Sequence, residues 1–465
     1  MTGVRLDCFK AYDVRGRVGT DLTSDIAGRI ARAFAVMTGA GRIVLGRDNR
    51  VSSPGLAAAV AEGLMLEGVE VIDLGLAGTE EVYFAVSHLW AGGGIMVTAS
   101  HNPAGDNGMK MVLEGSAPLG GHQSLEALRS ICETGNFGPA RPGGIRRSHP
   151  GLRDAYVARI LDIAAPLPGR PLKILVNAGN GAAGPTFDAI AGRLARNGLP
   201  LTFVRLNHAP DGSFPNGVPN PLLPENRAGT SAAILRSGAD MGVAWDGDFD
   251  RCFFFDHRGD FVPGEFVAGL LAEAMLKRHP GGAIVHDARV VWNLRDIADR
   301  AGGRAVQTRT GHNFMKAAMR QSGAVYGGEL SAHHYFRDFM ACDSGMIPWL
   351  LVASAVSGSG ESLRDLVAAR RAAFPSSGEL NFRVPDPATA IAAVRAALSG
   401  MAEEVDETDG LGLSFGDWRC NVRASNTEPL LRLNVEARGS AARVEEGVAM
   451  LRRLIEHAGP EPETT

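Results

Sequence analysis

The chain has 465 residues, 45% hydrophobic and 21% charged, with a formal net charge of −4. That length exceeds what one hydrophobic core organises and predicts roughly three or four domains. The composition excludes a fibrous or disordered chain, and the charge excludes a general nucleic-acid binder, which needs a large basic surface, while leaving room for an anionic small substrate.

In chain order, one pattern recurs three times. The first copy predicts a strand over 42–48, a helix over 52–68 opened by serines at cap positions with Pro54 in its first turn, and strands over 69–75 and 93–100. The second predicts strand 172–178, helix 184–198, strand 201–207 and strand 240–248. The third predicts strand 283–288, helix 291–303, strand 304–310 and strand 323–329. Strands alternating with helices indicate α/β units with mainly parallel sheets. The last part of the chain lacks the pattern and reads as a smaller α+β domain. Breaks at FGPARPGG (137–144), DHRGD (256–260) and AAFPSSGEL (372–380) predict domains over 1–150, 151–256, 257–372 and 373–465.

The five cysteines, Cys8, Cys132, Cys252, Cys342 and Cys420, form no Cys-x-x-Cys pair, which predicts reduced thiols and no zinc site. The segment MTGVRLDCFKAYDVRG carries charges where a signal peptide needs an apolar run. The longest apolar stretch, 346–356, falls far short of the roughly 20 residues that span a bilayer. A cytoplasmic protein with no membrane and no nucleic-acid partner is expected.

The unusual chemistry falls just after the last strand of each copy, in TASHNP, DGDFDR and GGELSAHHY. Ligands of open α/β sheets sit beyond the carboxyl ends of strands, so three such loops are expected to face one cleft. In DGDFDR, Asp246, Asp248 and Asp250 alternate; extended backbone would point all three to one side, as a hard cation such as magnesium requires. An EF-hand loop is excluded, because its Gly and Glu positions hold Arg251 and His257. GNGAAG (179–184) matches a dinucleotide fingerprint, but the strand that follows ends at Asn207-His208 without the ribose-binding carboxylate, so close packing of a strand–helix turn is the expected role.

Ser100-His101 does not read as a hydrolase pair: adjacent residues at a strand end are not expected to face one another, and the G-x-S-x-G elbow is absent. A phosphorylated Ser100 would use the tri-aspartate loop, since its charge of about −1.5 to −2 needs a bridging cation. Glu329, Ser331 and His333 alternate after a glycine turn and offer the mixed donors and acceptors that read sugar hydroxyls. RASNTEPLLR crowds Ser425, Asn426 and Thr427 between Arg423 and Arg432, a set able to cradle phosphate.

Together FKAYDVRG, TASHNPAGDNGMK, DGDFDR, GGELSAHHYFRD and RASNTEP, in this order, resemble the α-D-phosphohexomutase superfamily and within it the bacterial phosphomannomutase branch of surface-polysaccharide synthesis. The resemblance spans almost the whole chain. It implies four domains around a central cleft: three similar α/β domains with mixed, mainly parallel sheets, and a smaller α+β C-terminal domain. It implies Ser100 as the phosphoserine, and Mg2+ held by Ser100, Asp246, Asp248 and Asp250. Glu329 and Ser331 would bind sugar hydroxyls, and Arg423, Ser425, Asn426 and Thr427 the non-transferring phosphate. Tyr12, Arg15, His101, Lys110, Arg251, Arg289, His312 and His333 fall at or beside matching active-site positions, with Arg15 and Lys110 the candidates for proton transfer and charge stabilisation. The implied reaction interconverts mannose 6-phosphate and mannose 1-phosphate through a hexose 1,6-bisphosphate, in a monomer or dimer, and feeds GDP-mannose synthesis. A dual enzyme also using glucose phosphates is the nearest alternative; a phosphoglucosamine mutase, a nicotinamide-dependent dehydrogenase and a non-enzymatic sugar-phosphate binder stand further off. Two departures bear on the site. Ala332 stands where many members have Gly, and Arg289 where many have Lys, which keeps the charge but removes a titratable amine.

Overall fold

The computed structural model describes residues 6–120, 123–164, 169–289, 291–425 and 430–457. The chain forms two compact units, one of residues 1–262 and 333–363, the other of 263–332 and 364–465.

The first unit carries two sheets built on one plan. In the first, Arg42–Arg47 lies between Glu70–Leu76 and Gly93–Val97, all parallel. Asp106–Leu113 then pairs antiparallel with Gly93–Val97, and Val14–Arg17 antiparallel beyond it. In the second sheet, Leu172–Asn177 lies between parallel Leu201–Leu206 and Met241–Trp245, and Cys252–Phe255 follows antiparallel. Phe261–Val262 pairs back onto Cys252–Phe255, so DHRGD is a hairpin turn and the second sheet runs on to residue 262. The second unit repeats the parallel core, with Ala283–Asp287 between Arg304–Thr308 and Tyr326–Gly328. Its other sheet is antiparallel, in the order Ser376–Arg383, Leu430–Ala437, Trp418–Ala424, Leu411–Ser414, Glu404–Asp406.

The central strands GGIMV, MGVAW and AIVHD are buried at every residue, as strands covered on both faces must be. Each ends earlier or shorter than its sequence suggests, at Val97, Trp245 and Asp287, because the residues that follow bend toward polar partners. GNGAAG packs closely, as expected: a Cβ on Gly184 would lie 2.1 Å from the His208 carbonyl oxygen. The serines before Pro54 do not cap their helix. Ser52 makes no cap hydrogen bond, Ser53 donates to Asp48, and Asn107 donates to both hydroxyls at 2.8 and 2.9 Å. They tie a strand end to a loop instead.

The apolar run 346–356 lies within the core helix Met346–Ser359. Buried Glu80 accepts from the N–H groups of Gly345 and Met346, both at 3.1 Å, which places a carboxylate at the positive helix end. Trp349 and Trp245 pack on Phe187 with ring centroids 5.5 and 5.8 Å away. Burial of each such ring contributes on the order of 2–3 kcal/mol. Among the described residues no helix is long and apolar enough to cross a membrane, and all five cysteines are free and buried.

Candidate active site

Ser100 lies three residues beyond the strand Gly93–Val97, 2% exposed, with φ at +49°. Left-handed backbone at a non-glycine residue costs roughly 1–3 kcal/mol and needs a surrounding that enforces it. That surrounding is polar. Ser100 N–H donates to Thr98 Oγ1 at 2.9 Å, and Thr98 Oγ1 donates to Asp48 Oδ2 at 2.8 Å. From outside the loop, Arg50 donates to the carbonyls of Ser100, Asn102, Pro103 and Asp106 at 2.7–3.0 Å.

The turn brings Ser100 Oγ to Asp246 Oδ2, to which it donates at 2.5 Å. It also sets Oγ 3.0 Å from His101 Nδ1. The two neighbours therefore do touch, against the sequence expectation, because Ser100 sits in a left-handed turn and not at an extended strand end. Arg251 donates to Asp246 Oδ2 from Nε at 3.0 Å and from Nη2 at 2.8 Å. Arg251 Nη2 also contacts His101 Nδ1; a guanidinium only donates, so Nδ1 is the acceptor.

The carboxylates of Asp246, Asp248 and Asp250 converge, with oxygens within 4.8 Å of one another. They do so by a different route from the one their alternation suggests. The loop is a turn, closed by Phe249 N–H to the Asp246 carbonyl at 3.2 Å, and Phe249 has φ +46°. Phe249 is fully buried against Gly78, and so anchors the turn between two of the aspartates. Gly247 is required by close approach: a Cβ there would lie 2.4 Å from the Ser100 carbonyl oxygen.

Lys110, on the strand Asp106–Leu113, donates from Nζ to Asp248 Oδ2 at 2.7 Å and also to Asp250 Oδ2. Thr79 donates its hydroxyl to Asp248 Oδ2 at 2.5 Å. Burial works against an ionised Asp248, but the Lys110 ammonium and these hydrogen bonds hold its pKa below the usual carboxylate range. Burial and the neighbouring Asp248 charge push Asp250 the other way, upward. Asp248 Oδ1 and Asp250 Oδ1 are buried without a hydrogen-bond partner among the described residues. Two orphaned carboxylate oxygens beside Asp246 are the donor set a hard divalent cation takes, so the residues fit such an ion. His333 Nε2 lies 3.7 Å from Asp250 Oδ1, and His333 bridges antiparallel to Arg251. Arg15 pairs with Asp13 at 2.9 Å, while its Nη1 is a buried donor with no acceptor among the described residues. Tyr12 is half-buried two residues before the strand Val14–Arg17.

In the second unit, Arg289 is clamped by Asp287, which accepts from Nε at 3.1 Å and Nη2 at 2.6 Å. Glu329, 2% exposed, accepts from Gly311 N–H at 3.0 Å and lies 3.8 Å from Arg289 Nη2. Ala332 N–H donates to the Glu329 carbonyl at 3.1 Å, and Ala332 takes φ +67°, the conformation that costs a glycine least. Ser331 and His312 are half-buried, His312 opening the helix His312–Ser322. Buried Arg423 lies at the end of the strand Trp418–Ala424 and half-buried Ser425 follows it, with Ser425 N–H donating to the Leu430 carbonyl at 2.8 Å. Asn426 and Thr427 lie outside the described residues.

The structure thus gathers Ser100, His101, Lys110, Asp246, Asp248, Asp250, Arg251 and His333 in one unit, and Arg289 and Glu329 in the other. Sequence reasoning missed Asp48, Arg50, Thr79 and Glu379, which hold these groups in place. The run GRDNR after the first strand was the available signal for Asp48 and Arg50.

Four family models match the chain in order: the phosphoglucomutase/phosphomannomutase alpha/beta/alpha domain I over residues 7–137, domain II over 154–259, domain III over 263–374 and the C-terminal domain over 379–454. The chain is 52% identical to a phosphomannomutase of Salmonella typhimurium over 454 residues, 97% of this chain and 99% of that protein. It is 51% identical over 450 residues to phosphohexose mutases of Xanthomonas campestris pv. campestris, again 97% of this chain and 99% of the relative. A crystal structure of a phosphoglucomutase/phosphomannomutase family protein from Burkholderia thailandensis matches with TM-score 0.86 and 33% identity, covering 99% of both chains.

Proposed function

The chain belongs to the phosphoglucomutase/phosphomannomutase family, and from that premise we propose that it interconverts mannose 6-phosphate and mannose 1-phosphate through a phosphoserine at Ser100. The observation that carries the reading is Ser100 Oγ, buried and 2.5 Å from Asp246, beside carboxylate oxygens that lack a partner. The P–Oγ bond breaks as the sugar's free hydroxyl forms the new P–O bond; the hydroxyl loses its proton and Ser100 Oγ gains one, which gives a hexose 1,6-bisphosphate and an unmodified serine. That intermediate turns over and returns its other phosphate to Ser100. Catalysis rests on positioning and charge, as phosphoryl transfers do.

Asp246, Asp248 and Asp250, with the phosphoserine, would hold Mg2+. Once bound, the ion neutralises charge on the phosphoryl oxygens. Lys110 and Arg251 spread the charge of the three aspartates, and the bondless Arg15 Nη1 is a donor available to phosphoryl oxygens. Glu329 and Ser331 would accept hydrogen bonds from sugar hydroxyls, and Tyr12, Arg289, His312 and His333 are further candidates for substrate contact. Arg423, Ser425, Asn426 and Thr427 would hold the phosphate that is not transferred. The work divides by segment: phosphoserine loop in 1–150, metal loop in 151–256, sugar loop in 257–372, phosphate loop in 373–465. The reaction belongs in the cytoplasm, where free buried thiols stay reduced, and the product would supply GDP-mannose synthesis.

A dual mannose and glucose specificity is the second reading, favoured by the broader name, phosphohexose mutases, of the Xanthomonas relatives. A kinetic comparison of mannose, glucose and glucosamine 1-phosphates, primed with hexose 1,6-bisphosphate, tests both. Preference for mannose supports the first, equal use of mannose and glucose the second. Turnover of glucosamine 1-phosphate alone, or of none, would overturn the proposal.

A further inference from the structure

Within the antiparallel sheet of the second unit, Ser376–Arg383 carries a bulge. Ser376 pairs with Glu436 and Glu379 with Asn434, and between them the register shifts, with Gly378 at φ +65°. A bulge re-aims the side chain beside it. Here it aims Glu379 at three guanidinium groups from three separate segments. Glu379 Oε2 accepts from Arg423 Nη2 at 2.8 Å and from Arg289 Nη1 at 3.2 Å. Arg432 Nη1 lies 3.3 Å from Oε1.

This carboxylate is more than a counter-charge for buried arginines. Arg289 already has Asp287 at 2.6 Å and Glu329 at 3.8 Å. Arg423 is 5% exposed, yet only its Nη2 meets Glu379, and its Nε is buried with no acceptor among the described residues. A guanidinium fork engages an anion best through two parallel N–H bonds. Glu379 fills half the fork that a tetrahedral anion would fill completely. Among the described residues, three arginines, Arg289, Arg423 and Arg432, pair with three carboxylates, Asp287, Glu329 and Glu379. A phosphate dianion entering the cluster as it stands would bring uncompensated negative charge next to Glu379. Burial opposes the Glu379 charge, but the three arginines hold its pKa below the usual carboxylate range, so it does not step aside by taking a proton near neutral pH.

We propose that Glu379 is a resident stand-in for the substrate's non-transferring phosphate, an internal anion that holds the arginines ready and exchanges with the phosphate on each binding event. The inference rests on the reading that Arg423 grips that phosphate. Its consequence is a cradle that lets go. A bisphosphate that must turn over in mid-cycle needs both phosphates released and regripped, and a competing internal anion weakens the grip that would otherwise be uniform and slow to release.

The test is Glu379→Gln in the full chain, with inorganic phosphate and mannose 6-phosphate as probes. Removing the competitor should tighten phosphate binding roughly three- to tenfold, a gain of one decade at most in Kd. KM should fall in parallel while kcat does not rise. A carboxylate that only braces the fold gives the opposite sign, so unchanged or weaker phosphate binding by the folded variant would overturn the proposal. Glu379→Asp, which withdraws the charge by one methylene, should give a smaller tightening and serves if Gln does not fold. Arg423→Lys separates the two readings. If it weakens phosphate binding while E379Q fails to tighten it, the cradle stands and the exchange falls. If Arg423→Lys leaves phosphate affinity unchanged, both fall.

Discussion

Arg50 donates from Nη2 to the carbonyl oxygen of Ser100 at 2.9 Å. The same guanidinium, 1% exposed, reaches the carbonyls of Asn102, Pro103 and Asp106, and its Nε lies 3.3 Å from Asp48 Oδ2. Four carbonyls of one loop thus converge on one rigid fork, which offsets the strain of the left-handed Ser100. A lysine cannot reproduce that fork. Arg50→Lys should lower kcat about 10- to 100-fold with KM within about twofold, each orphaned buried carbonyl costing about 1–3 kcal/mol. Steady-state kinetics beside a melting curve checks this; wild-type kcat in a folded variant would refute the positioning role.

Gly247 makes a second contact with the same carbonyl. An alanine Cβ would stand 2.4 Å from the Ser100 oxygen; the Cβ is fixed by the backbone and the oxygen is backbone, so neither yields cheaply. Gly247→Ala should cost about 1–3 kcal/mol of stability and lower turnover at least roughly tenfold by parting Ser100 from Asp246. Chemical denaturation and kcat measured on one preparation decide it.

Ser100→Ala removes the hydroxyl that Asp246 accepts from but leaves the backbone free to keep its turn. Stability should change by about 1 kcal/mol or less, while turnover falls by orders of magnitude and added bisphosphate does not restore it. Intact-mass analysis of the unmodified enzyme should find phosphate on the peptide containing Ser100. Phosphate mapped to another peptide of active protein would overturn the mechanism.

Chelation should abolish activity and spare the fold. Lys110, Thr79 and Arg251 already hold the three aspartates through hydrogen bonds that involve no metal. Circular dichroism after exhaustive chelation should match the untreated protein, with activity regained on adding Mg2+. Asp248→Asn should lose most activity whether or not Mg2+ is added. Full turnover by the chelated enzyme would remove the metal from the mechanism.

Ala332 holds φ +67°, left-handed backbone that glycine adopts without a Cβ penalty. The left-handed penalty for alanine, about 1–2 kcal/mol, exceeds the extra unfolded-state entropy of glycine, about 0.5–1 kcal/mol. Ala332→Gly should therefore stabilise the protein by up to about 1 kcal/mol, read from denaturant midpoints at unchanged slope.

The three strand–helix–strand repeats and the loops that follow them were legible in the sequence because they rest on local signals. Apolar runs such as GGIMV and MGVAW, and the glycines and prolines around them, specify buried strands and their ends from within a few residues. The candidate site residues were legible for the same reason, since Ser100 and the three aspartates sit in short dense motifs. How those residues meet was not. Alternation along DGDFDR suggests extended backbone, yet the aspartates converge through a turn that Phe249 enforces by burying itself on Gly78, which lies far away in the chain. Ser100 touches His101 because a left-handed turn, held by Arg50 and Thr98, replaces the strand end. The same holds for Glu379, whose sequence surroundings name no role and whose three arginines come from distant segments. Local pattern sets which residues can form a strand or a turn; the paired burial of charges sets which distant groups share a site, because a buried charge is tolerated only beside its partner, and the chain must fold before that partner is chosen.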